Sequence, residues 1–136
     1  MAAVADTYVT ELAKHLKTAT SLNVYKYEDK PKETSGEYIA VNNLPFVYGY
    51  AVNDVNILNV NLHVPELEYE QRPATALNAL VATILNIIPL QSDSEDFTPL
   101  VINNHYYSVR NISQPMKDND RTYFVNMQVN VTFSNI

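Results

Sequence analysis

From Arg121 to Phe133 apolar and polar positions alternate along the chain. Tyr123, Val125, Met127, Val129, Val131 and Phe133 recur at every second residue. Thr122, Asn126, Gln128, Asn130 and Thr132 fill the positions between, with Phe124 the one apolar residue among them. A period of two is the repeat of a pleated strand, so the spacing predicts a ribbon with one face on a core. The opposite face is neutral and rich in amides. Such a face suits stacking against copies of the chain or against a partner, which makes Asn126, Gln128 and Asn130 candidate interface residues.

A second pattern has helical spacing. Leu77, Leu80, Val81, Ile84, Leu85 and Ile88 form one stripe, predicting an amphipathic helix from Pro73, at its first turn, to Pro89, which stops it. Burying each of these side chains is worth roughly 1.5–3 kcal/mol, so the helix supplies much of the core. A first helix is predicted from a cap at Asp6 or Thr7 to about Thr18, with Val9, Leu12, Ala13 and Leu16 on one face.

Between the helices lie three strand candidates. Leu22–Tyr27 and Glu37–Val41 are expected to pair as a hairpin across a charged turn containing Pro31 and Gly36. Asp54–Val64 is a longer strand whose apolar phase slips: Val55 and Ile57 are odd, Leu58, Val60, Leu62 and Val64 even. A bulge near Ile57–Leu58 would reconcile the two phases. After the second helix come an acidic loop, Gln91–Thr98, a strand at His105–Ile112, and a turn holding Pro115, Asp118, Asn119 and Asp120 before the last strand. Few helices, not interleaved with the strands, predict one α+β domain over residues 1–136, a single mostly antiparallel sheet with two helices on one face.

Leu44–Ala51 stands apart. Phe46, Val47, Tyr48 and Tyr50 crowd between turn residues. The segment reads either as a strand end folded back on the core or as an adhesive loop that a neighbouring subunit covers.

Composition narrows the function classes. At 136 residues the chain is the size of one domain, and it has no cysteine, so disulfides and thiolate metal sites are excluded. A net charge of −6 argues against a nucleic-acid grip, which needs concentrated Lys and Arg. No membrane span or signal peptide is read in the sequence, and two glycines leave no Gly-rich phosphate loop.

No reactive constellation stands out. His15, His63 and His105 have no metal-ligand spacing. His63 shares a strand face with Asn59 and Asn61 and reads as a half-exposed surface residue. Glu66, Glu68 and Glu70, in an extended chain, would line one side and attract a cation or basic partner, or form a solvated rim before the helix. Ser108 and Ser113 lack the turn of a nucleophile elbow. Ten tyrosines without a basic groove suit protein interfaces better than base stacking. The expectation is a protein without catalytic residues, metal or cofactor. A small-ligand-binding domain with tyrosines lining a pocket is the alternative, and an enzyme using His63 with one of the three glutamates comes third.

The order of elements, the strand Val55–Glu66 (VNILNVNLHVPE) running into the helix Pro73–Ile88, and the closing segment Tyr123–Ile136 resemble the tail terminator and tail-completion proteins of tailed bacteriophages. These are minor structural proteins of the head–tail neck. The resemblance implies a homo-oligomeric ring, commonly a hexamer, that caps the tail tube and joins it to the neck connector. It also implies assembly in the host cytoplasm and a place in the virion. DNA would pass through the lumen without specific binding. The family brings no catalytic residues to carry over. A ring needs two distinct patches that meet head to tail; the amide-rich face and the aromatic segment with Phe46, Val47, Tyr48 and Tyr50 are the two expected here.

Overall fold

A computed structural model describes residues 2–26, 36–43, 55–118 and 120–133. Among these the chain runs α1 (Ala2–Thr20), β1 (Asn23–Lys26), β2 (Tyr38–Asn43), β3 (Val55–Pro65), a 3-10 turn (Glu68–Glu70), α2 (Ala74–Ile87), β4 (Leu100–Ile102), β5 (His105–Ile112), β6 (Met116–Lys117) and β7 (Thr122–Phe133). The strands make one sheet in the order β1-β2-β3-β7-β5-β4, with β6 extending from β7. Every pairing between these strands is antiparallel except β1 with β2, and Leu90 adds an isolated parallel bridge to Val109. The fold is α+β, as the patterning predicts.

Both helices pack on one sheet face. Val9, Leu12 and Leu16 of α1 and Leu77, Leu80 and Ile84 of α2 share a core with Ile39, Val41, Leu58, Val60, Leu62, Val109, Met127 and Val129. The last strand of the sequence lies in the middle of the sheet, between β3 and β5. This explains its regular pattern, because a central strand has a neighbour on each edge and a core beneath.

Four expectations are corrected. First, α1 begins at Ala2, so Asp6 and Thr7 lie inside it and do not cap it. Its far end closes through side chains: the Thr20 hydroxyl donates to the Leu16 carbonyl at 2.7 Å and accepts from Leu22 N at 3.1 Å. Ser21 turns left-handed at φ 61° as its N–H reaches the Lys17 carbonyl. Second, β1 and β2 run parallel, Asn23 beside Tyr38 and Lys26 beside Val41, so they form no hairpin. A tight turn joins only antiparallel strands, and alternation alone does not encode direction.

Third, β3 has no bulge at Ile57–Leu58. Its register with β2 and with β7 is unbroken, and Ile57 faces away from the core, half-buried opposite Asn130. The irregularity lies in β5 instead, where Arg110 is extra between Val109 (opposite Val129) and Asn111 (opposite Gln128). That extra residue moves the core-facing phase from Tyr107 and Val109 to Ile112. Fourth, Glu66, Glu68 and Glu70 do not line an extended edge. Tyr69 and Glu70 are left-handed at φ 61° and 59°, which curls the segment into a turn. Glu66 and Glu70 there converge on the Lys117 ammonium at 3.7 and 3.4 Å.

The aromatic segment with Phe46, Val47, Tyr48 and Tyr50 lies outside the described residues. Among the described tyrosines, Tyr8, Tyr38 and Tyr107 are fully buried, an interior use that the expected interface role did not anticipate.

Candidate functional site

Three polar assemblies punctuate the sheet. On the face opposite the helices, an amide ladder crosses β2, β3 and β7. Asn59 Nδ2 donates to Asn42 Oδ1 at 3.0 Å. Asn126 Nδ2 donates to both Asn59 Oδ1, at 3.1 Å, and Asn61 Oδ1, at 2.7 Å. Further along β7, Asn130 Nδ2 donates to Gln91 Oε1 at 2.6 Å. Gln128 sits in the same row, paired with Asn59 on one side and Asn111 on the other. The three candidate residues of β7 therefore share one face, as alternation predicts. Asn126 is engaged within the sheet and Asn130 with the Gln91 loop, which fixes rotamers that would otherwise be free.

The second assembly ties α1 to the β4–β5 hairpin. Glu11 accepts from Asn103 Nδ2 at 2.8 Å, from His105 Nδ1 at 2.7 Å and from the Tyr107 hydroxyl at 2.5 Å. A carboxylate has no proton to give, so the His105 Nδ1 carries the hydrogen. Tyr8 meets the His105 ring edge-on at 4.8 Å. Burial alone would raise the Glu11 pKa, but hydrogen bonds from Tyr107, His105 and Asn103, with the His105 charge, bring it below the ordinary carboxylate value. Burial, then the Glu11 hydrogen bond and charge, push the Tyr107 phenol far up, so it remains a donor.

Because the folded pKa of Glu11 is depressed, its contribution is complete above the unfolded carboxylate range and is lost as pH falls through the folded value. Glu11→Gln should therefore flatten the loss of stability below about pH 5, read as urea midpoints between neutral and acid pH. An unchanged acid slope would remove Glu11 as its source.

The third assembly surrounds His63. Sequence reading placed this residue half-exposed on a strand; it is 5% exposed. Its ring is sandwiched between Tyr38, at 4.4 Å and 9°, and Phe124, at 5.0 Å and 18°. The sandwich follows from register, since Tyr38 of β2 and Phe124 of β7 flank His63 directly. The β6–β7 turn brings in Asp118 and Asp120. Asp120 accepts from the Tyr38 hydroxyl and from both the hydroxyl and N–H of Thr122. His63 Nδ1 lies 2.9 Å from Thr122 Oγ1 and 3.8 Å from Asp118 Oδ2. The Thr122 hydroxyl gives its proton to Asp120, so Thr122 Oγ1 accepts and His63 Nδ1 carries hydrogen. Tyr38 is held protonated by burial first, then by the hydrogen bond to Asp120 and its charge.

His63 thus meets carboxylates, but Asp118 and Asp120 in place of the glutamates expected nearby. Sequence reasoning missed this group because its members come from distant strands; His63 and Thr122 are 59 positions apart. The one local signal was the pair of acids around Asn119 in the turn.

Among the described residues no helix is long and apolar enough to cross a membrane. Comparison with protein-family models, with curated proteins and with solved structures finds no match for this chain.

Proposed function

We propose that this chain is a virion structural protein, a tail terminator or tail-completion subunit that assembles as a homo-oligomeric ring between tail tube and neck. The observation that carries the reading is the sheet face opposite both helices. Rows of amides cross it, cross-linked between strands, and no described helix packs there. A neutral face with its side chains already held has less ordering entropy to lose when a second protein docks. Its hydrogen-bonding groups also reward one register over others. Such a surface acts by shape and contact, in keeping with the family that the sequence resembles.

Closed rings join unlike patches. The amide face supplies one of them; the aromatic segment with Phe46, Tyr48 and Tyr50 is assigned as the other from the sequence. A net charge of −6 disfavours adhesion of DNA passing through the ring.

Mass measurement of the purified chain, alone and with tail-tube protein, tests the reading. The expected result is a ring, formed freely or on the tube. The double variant Gln128→Lys, Asn130→Lys should remain folded and lose at least about tenfold in association, because each interface would bury two ammonium groups without a partner. A chain that stays monomeric with tube and connector proteins present would overturn the proposal. Undiminished assembly of the variant would remove the amide face as the contact.

A further inference from the structure

We propose that His63, Asp118 and Asp120 form a binding site for a divalent transition-metal ion, zinc being the best match to the donors. One ligand atom from each residue falls within 4.8 Å of the others. At a tetrahedral zinc ion with bonds of about 2.0–2.2 Å, donors stand roughly 3.4 Å apart. The 3.8 Å between His63 Nδ1 and Asp118 Oδ2 is a few tenths of an ångström above that spacing, and the full set, within 4.8 Å, must draw in further around an ion. One imidazole nitrogen and two carboxylates suit zinc, manganese or cobalt better than calcium or magnesium, which prefer oxygen alone.

The imidazole is the least mobile donor. Stacked between Tyr38 and Phe124, it cannot swing away, so its Nδ1 stays aimed at the turn. Asp120 is oriented by the Tyr38 hydroxyl and by Thr122. Outer hydrogen bonds to a ligating carboxylate are the usual means of fixing its direction. Asp118 lies on the turn, half-buried, with its backbone N–H anchored to the Thr122 carbonyl at 2.9 Å. It also lines an open cavity of about 960 Å³ beside Pro65, Glu66 and Arg121, which gives an ion a way in from solvent.

Binding requires a local rearrangement in which the donors draw together from as far as 4.8 Å. The Nδ1 hydrogen now shared with Thr122 moves to Nε2, the neutral ring keeps its proton count, and the Thr122 hydroxyl gives up its place on the Nδ1 lone-pair direction to the metal. The Thr122 N–H still donates to Asp120. The ion would then clip β3 to the β6–β7 hairpin, joining a middle strand of the sheet to a turn at its border. This inference does not depend on the assembly reading.

The test uses the full chain stripped with chelator, then titrated with zinc chloride by calorimetry and followed by thermal scan. One zinc per chain and a rise of several degrees in Tm at saturation are expected, since an ion that binds only the folded state must stabilise it. Asp118→Asn, on the half-buried turn, should fold normally and weaken zinc binding at least tenfold. His105→Gln, which removes the other histidine–carboxylate pair, should leave zinc binding unchanged. No binding up to millimolar zinc would overturn the site. So would binding that survives Asp118→Asn, or binding that disappears with His105→Gln.

Discussion

Leu12→Ala should lower the free energy of unfolding by about 2–5 kcal/mol. Leu12 has no solvent exposure and sits among Val9, Ala13 and Leu16 on the buried stripe of α1. Most of the stability of a helix in a protein comes from packing its apolar face, so α1 depends on its docking. Truncating Leu12 removes apolar area from that contact and leaves a cavity that rigid sheet residues such as Ile39 and Val41 cannot close. Urea unfolding at neutral pH measures the change, with the exposed Lys14→Ala as a control expected within about 0.5 kcal/mol of the parent. A loss below about 1 kcal/mol for Leu12→Ala would mean that α1 is not seated as described.

The same stripe shows what patterning can and cannot convey. Apolar spacing reports which side of an element is dry, and it located α2, β5 and β7 closely. It carries no sign for strand direction, so it predicts β1 and β2 side by side but antiparallel, against the parallel register observed. The strands β4 and β6, at three and two residues, are too short to display a period. Ile57 looked like a phase slip because an apolar residue on an outer face is indistinguishable, in one dimension, from a bulged core residue. The true bulge lies in the phase change from Val109 to Ile112, which the sequence does not mark because Asn111 and Arg110 read simply as polar.

The polar assemblies were less legible for a different reason. The amide ladder was half visible, since Asn126, Gln128 and Asn130 follow the period of one strand, while their partners Asn42, Asn59 and Asn61 lie on two others. Glu11 with His105 and His63 with Asp120 depend on which strands become neighbours, and that order, with the last strand inserted between β3 and β5, is set by the sheet as a whole. Local pattern therefore predicts the scaffold, and topology decides which side chains meet on it.

Asp120 is the residue on which that meeting depends most, and Asp120→Ala should destabilise the protein by about 2–4 kcal/mol. The carboxylate accepts from the buried Tyr38 hydroxyl and from the Thr122 hydroxyl and N–H. Removing it takes an acceptor from three donors at once, and desolvated donors are costly to leave unmatched. Asp120→Asn keeps one acceptor oxygen and should lose about half as much. Tyr38→Phe separates the contributions: if the Tyr38–Asp120 hydrogen bond is a principal link, the double variant Tyr38→Phe, Asp120→Ala should be more stable than the two single losses summed, by roughly 1–2 kcal/mol. Strict additivity in urea unfolding would show that Asp120 acts through the turn and Thr122 alone, leaving the stacked His63–Tyr38 pair to stand without it.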